Sequence, residues 1–279
     1  MNHALSTHLF VNHRLTTALL GRIQEAGIPA VEIFCARQHL DYRDKAQIAE
    51  LGHWFRDCEM KLHSLHAPMY NDEIWGKSGP HAVVTIAETV KARRMESVDE
   101  IKRAIEIAEQ IPFKYLVQHI GVGGEDFNEK KLDAAMTCVE HLKAFAKPLG
   151  VTVLLENIPN ELSTPERLLE FLNITHFTDV GICFDFGHAH MMSNVAEAFE
   201  SLKPHIRSTH VHDNKGDADV HLWPGDGTIN WGEAMQLLRT APQVPPLLME
   251  IDGEGKKDIP SGMSAAYRRL EEAGQAVQA

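Results

Sequence analysis

Six apolar runs of this chain end in a side chain able to ligate a metal: His66 in SLHAP, His119 in LVQHIG, Glu156 in VLLENIP, Asp185 in ICFDFGHAH, His210 in STHVHD and Glu250 in LLMEI. Imidazole nitrogens and carboxylate oxygens are the donors that zinc and manganese accept. One histidine at a strand end is more often a hydrogen-bonded structural residue, and one carboxylate is often a cap or an ion-pair partner. Six at one rim would repel one another and lose their hydration, a cost that a divalent cation removes. Whether they meet depends on the elements that carry them.

Runs rich in Val, Ile, Leu and Phe alternate along the chain with longer helical periodicity, the pattern of repeated βα units and a parallel sheet. Strands are predicted at 6–10, 30–34, 61–67, 115–120, 151–157, 180–186, 206–213 and 246–251. Helices are predicted near 14–26, 44–58, 96–110, 129–148, 165–173, 194–203, 231–240 and 263–273. Ser97 with Glu100 reads as a capping box, and Thr164 before Pro165 as a cap and first helical residue. Eight units of roughly 35 residues fit an α/β fold of the single (β/α)8 barrel type, spanning 1–279 without an interdomain linker.

In such a barrel the active site lies at the carboxyl ends of the strands. Alternation puts Thr152, Leu154 and Glu156 on one inward face, and Leu248 with Glu250 on another. The oversized connection from Pro68 to Met95 reads as a lid over the mouth or as a surface loop. Three further ligand candidates follow the strands: His188, three residues after Asp185, and the D-x-H pair Asp219 and His221. The pair also fits a solvated polar loop. His212 shares the face of His210 and either supports a ligand or touches substrate.

Composition narrows the classes. A net charge of −12 opposes nonspecific binding to nucleic acid or anionic membranes, although a local basic patch could still hold phosphate. Runs of about 18 apolar residues are absent, and MNHALSTHLF lacks the pattern of a secretion signal. Cys35, Cys58, Cys138 and Cys183 form no C-x-x-C pair, which fits a reducing compartment. The expectation is a soluble cytoplasmic protein without membrane partners.

The motifs LHAP, LLEN, CFDFGHAH, HVHDN and LLMEI resemble those of the xylose isomerase-like barrel superfamily, which holds sugar epimerases and isomerases as well as apurinic endonuclease IV. The resemblance runs over essentially the whole chain. Its epimerase branch implies one divalent ion on Glu156, Asp185, His210 and Glu250, with Glu156 and Glu250 also exchanging protons with the substrate. Its endonuclease branch implies three zinc ions and adds His66, His119, His188, Asp219 and His221. Nine ligands exceed what one ion uses. The cofactor expected is therefore manganese or zinc, one to three ions.

DNA recognition would need basic residues and an inserting aromatic; Arg37, Arg43 and Tyr70 are what the sequence offers. Against this, DVHLWPGDGTINW resembles a D-x-H-L-x-x-G-x-G-x-I-x-W segment of sugar phosphate isomerase/epimerase-like barrels. The reading adopted is a metal-dependent isomerase or epimerase of a small carbohydrate. Endonuclease IV-like phosphodiester hydrolysis is the alternative, and a metal-binding barrel without catalysis a third. Within the adopted reading His188, His212 and Lys215 are expected to orient hydroxyl or phosphate groups, while Trp75 and Trp223 wall a sugar ring or simply pack. The resemblance is compatible with a homo-oligomer.

Overall fold

Short branched and aromatic runs form eight parallel strands in a computed structural model that describes residues 1–252 and 259–276. They are β1 (His3–Ser6), β2 (Ala30–Phe34), β3 (Lys61–His66), β4 (Tyr115–His119), β5 (Thr152–Glu156), β6 (Gly181–Asp185), β7 (Ile206–His210) and β8 (Leu247–Met249). The α-helices are α1 (Thr17–Glu25), α2 (Lys45–Asp57), α3 (Lys91–Ile105), α4 (Glu129–Ala146), α5 (Pro165–Thr175), α6 (Phe186–Met192), α7 (Val195–Leu202), α8 (Trp231–Thr240) and α9 (Ile259–Ala276). Each strand pairs with its sequence neighbour, β8 pairs with β1, and a Val211–Met249 bridge brings β7 to β8. The result is the single (β/α)8 barrel expected.

Alternation divides the core in two. Val153, Leu155, Ile182 and Phe184 pack outward in the large cluster shared with the helices, whereas Tyr115, Val117, Leu154 and Cys183 form a small cluster inside the barrel. Two β-bulges break the alternation. Between Val31 and Glu32 the pairing with β3 slips, leaving His63 as an extra residue; between Ile182 and Cys183 the pairing with β7 slips, leaving Arg207 extra. Leu62 and Ile206 therefore face the helices while His66 and His210, four residues on, face the axis.

The structure corrects three local expectations. The run 6–10 is not a strand: β1 stops at Ser6, whose hydroxyl accepts from the His8 N–H at 3.3 Å and starts a 3-10 turn over Thr7–Phe10. Helix α3 begins at Lys91, so Ser97 lies within it and accepts from Thr85 N instead of capping. Glu100 is occupied by Tyr42, Arg43 and Arg103, which outcompete a capping box. The third is α6, a short helix over Phe186–Met192 in the gap between the predicted strand at 180–186 and the predicted helix at 194–203. Thr164 does cap α5, accepting from Arg167 N at 3.3 Å with Pro165 in the first turn.

Candidate active site

Register alone brings several ligand candidates together. His119 sits opposite Glu156 across β4 and β5, and Asp185 opposite His210 across β6 and β7. At the carboxyl ends of the strands three groups result, each with its donor atoms within 4.8 Å of one another: Glu156, Asp185, His210 and Glu250; His66, His119 and Glu156; and His188, His212, Asp219 and His221. Glu156 belongs to two of them. All nine ligand candidates read from the sequence, with His212, fall within these groups.

In the first group His210 Nδ1 lies 3.0 Å from Glu156 Oε1 and 3.2 Å from Glu250 Oε2. In the second, His119 Nε2 is 3.0 Å and His66 Nε2 3.5 Å from Glu156 Oε2. In the third, Asp219 stands 3.1 Å from His188 Nε2 and 3.2 Å from His221 Nε2. Imidazoles converging on carboxylates, buried except for the exposed Asp219 and the partly buried His119 and His221, are a donor set suited to a borderline divalent ion such as zinc or manganese.

The electrostatics show the same convergence. Burial opposes ionisation of Glu156, but His210 and His119 outweigh it and hold the carboxyl well below its usual range. Glu250, likewise opposed by burial, is drawn down to about 2 by His210, His221 and His8. Burial disfavours protonation of His210 and His188, yet Glu250, Glu156 and Glu32 raise the first, and Asp185, Asp219 and Glu156 raise the second.

Local structure aims the groups. Asp185 ends β6 and also caps α6, accepting from His188 N at 2.6 Å, which explains the D-x-x-H spacing. Asn157 clasps Asp185 by paired hydrogen bonds of 2.9 Å, side-chain amide to backbone. Gly187 must lack a side chain, because a Cβ there would overlap the His212 ring. His212 in turn approaches Asp185 Oδ1 at 3.0 Å and stacks on His221 at 3.9 Å between ring centroids.

The loop after β7 folds back over the mouth through Asp213. Its buried carboxylate accepts from the backbone N–H groups of Asn214, Gly225 and Ile229 and from Trp231 Nε1, at 2.8–3.2 Å. The glycine, isoleucine and tryptophan of the segment thus organise the loop that carries Asp219 and His221. His221 adopts φ +41°, a left-handed conformation uncommon outside glycine, with Nδ1 2.7 Å from the Glu250 carbonyl.

A cavity of about 150 Å³ opens beside the groups. Its floor includes Glu156, Glu250, His66, His119, His188, Asp219 and His221, and Phe34, Met69, Trp75 and Ile158 supply apolar wall. Trp75 and Met69 come from the 68–95 connection, so part of that segment covers the site. Of the two roles expected of Trp223, wall or packing, the structure shows packing. Trp223 is 6% exposed and packs in the main core, and Lys215 is exposed on the loop; neither lines the cavity. Tyr70 stacks edge-on against Trp75, Arg37 pairs with Asp41 and the Asn71 carbonyl, and Arg43 pairs with Glu100.

Sequence reading missed two polar residues here. His8 lines the cavity between Phe34, Trp75 and His221, and burial lowers its pKa to about 4. Glu32 lies within the barrel against His210. A glutamate inside the apolar run AVEIF was the available signal for the second; His8 was hidden by reading its turn as strand.

A family described as xylose isomerase-like TIM barrel matches residues 20–273. The chain belongs to that family. Among relatives of this xylose isomerase-like barrel, uncharacterized protein MJ1311 of Methanocaldococcus jannaschii is 29% identical over 250 residues, 86% of this chain and 80% of the relative. A probable endonuclease 4 of Natronomonas pharaonis is 27% identical over 203 residues, 64% of this chain and 71% of the relative. A D-tagatose 3-epimerase-like protein of solved structure superposes with TM-score 0.79 and 26% identity, covering 100% of this xylose isomerase-like chain and 98% of the other.

Proposed function

We propose that the protein is a metal-dependent isomerase or epimerase acting on a small sugar or sugar derivative. The observation that carries the reading is that Glu156 and Glu250 share one ligand group and both line a cavity of about 150 Å³ with apolar walls. That space suits a molecule of a few carbons held over Trp75 and Phe34. Glu156, Asp185, His210 and Glu250 would hold the ion, manganese or zinc, which when bound polarises a carbonyl as a Lewis acid.

The chain's own residues then carry the proton. One glutamate, ionised, takes the proton from the carbon beside the carbonyl, and the electrons of that C–H bond shift onto the carbonyl oxygen. The other, carrying a proton from solvent, delivers it to the opposite face or to the adjacent carbon, and the first releases its own to solvent. His188, which lines the cavity, orients hydroxyl groups, with His212 fully buried behind it, and Trp75 shields the site from water. Four free cysteines support a reducing, cytoplasmic setting. The test is incubation with candidate ketoses in D₂O. Deuterium should enter beside the carbonyl, and Glu156→Gln should slow entry by about 100-fold or more; full turnover in that variant removes Glu156 from the mechanism.

A second reading is favoured by one observation: the second and third groups add ligands for further ions, which suits metal-assisted phosphodiester hydrolysis. The resemblance to endonuclease 4 supports it. The small cavity and the pairing of Arg37 and Arg43 within the protein weigh against it. Nicking of abasic-site DNA without sugar exchange would select this reading over the first.

A further inference from the structure

Beneath the four-residue ligand group lies a carboxylate with no part in the chemistry above. Glu32, in the middle of β2, is fully buried. Its Oε1 lies 3.0 Å from His210 Nε2, and its Oε2 accepts from the Ser64 hydroxyl at 2.7 Å. Ser64 is turned inward by the extra residue His63, because the bulge pairs Ser64 with Glu32. One oxygen is thereby committed to the serine and the other to the histidine. On the far side of the ring, His210 Nδ1 faces Glu156 and Glu250.

An imidazole that ligates a cation gives up the proton on one nitrogen and keeps it on the other. Carboxylate oxygens face both nitrogens, Glu32 at Nε2 and Glu156 and Glu250 at Nδ1, but only the latter pair belongs to the ligand group. With an ion held there, Nε2 is the nitrogen that keeps its proton and donates to Glu32. We propose that Glu32 is a positioning residue that holds His210 as the Nε2–H tautomer and fixes the ring, so that Nδ1 presents its lone pair to an ion. The hydrogen bond also serves Glu32, whose buried charge would otherwise lack a cationic or N–H partner from β7. The inference rests on the metal reading of Glu156, Asp185, His210 and Glu250, and holds whether the substrate is a sugar or a phosphodiester.

The experiment compares wild type with Glu32→Gln, which keeps the shape and removes the charge. Zinc and manganese affinities are measured by competition with a chelating dye, and His210 ring protonation by ¹⁵N NMR of the zinc-loaded protein. Wild type should bind stoichiometrically with His210 protonated at Nε2. Glu32→Gln should bind roughly 10–100-fold more weakly, with a shifted His210 ring ¹⁵N signal. Equal affinity and an unchanged ring spectrum in a folded variant would overturn the role of Glu32. Wild type that binds neither ion would instead overturn the metal reading. Should Glu32→Gln fail to fold, the wild-type spectrum decides: zinc-loaded His210 without a proton on Nε2 refutes the inference, and one carrying it sustains it.

Discussion

Leu62 and His66 stand four residues apart on β3 yet face opposite sides of the barrel wall, Leu62 among the helix-facing core residues and His66 over Glu156. Strict alternation would put them on one face. The extra residue His63 accounts for the difference. Deleting His63 leaves Leu62 and His66 three residues apart, so a bulge-free strand keeps the pairs Val31–Leu62 and Glu32–Ser64 and keeps both side chains on their present faces. Urea denaturation should show a loss within about 1 kcal/mol of that of His63→Ala, because both variants remove the same side chain and neither exchanges the buried faces; a loss several kcal/mol larger would refute the assignment of His63 as the extra residue.

Asp213 should matter for the third ligand group without touching it. Asp213→Ala strands three backbone N–H groups and the Trp231 indole N–H, at a cost of about 1–3 kcal/mol for a buried donor left unpaired. The expected result is a loop after β7 that is cut faster by protease, and weaker occupancy of any ion bound through Asp219 and His221. Unchanged protease sensitivity would refute the organising role of this carboxylate.

Metal-free protein should depend on pH through His221. Burial disfavours its protonation, but Asp219 and Glu250 outweigh it and raise the ring to about 9 from 6.5. A group whose folded pKa is raised stabilises fully below its unfolded pKa, and that stabilisation is lost as pH rises through the folded value. The gap in urea stability between wild type and His221→Asn, chosen because asparagine tolerates the positive φ, should be larger at pH 6 than at pH 9.5. The expected change is on the order of 2 kcal/mol.

Chelation should lower the thermal midpoint, and zinc or manganese should restore it. A site present only in the folded state gains about 2.7 kcal/mol when free ion exceeds Kd by 100-fold. Elemental analysis then separates the groups: one ion per chain matches Glu156, Asp185, His210 and Glu250 alone, whereas three require His66, His119, His188, Asp219 and His221 as well. Glu156→Gln should lower occupancy of both groups that share it, and Asp219→Asn only that of the third.

The sequence by itself determined the barrel and the ligand types at its mouth. Period-two alternation in short apolar runs fixes which side chains face the axis, so Glu156 and Leu154 were legible without coordinates. The tertiary structure decided what local pattern does not encode. Bulges at His63 and Arg207 turn His66 and His210 inward, a choice made by pairing with neighbouring strands rather than by the strand's own residues. Trp223 and Lys215 looked like substrate contacts by proximity to Asp219 and His221, but the web around Asp213 gives the loop a path that leaves one in the core and the other in solvent. Glu32 meets His210 from 178 positions away because closing a sheet into a barrel brings inward residues of distant strands onto one axis, where hydrogen bonding and charge select the pairs.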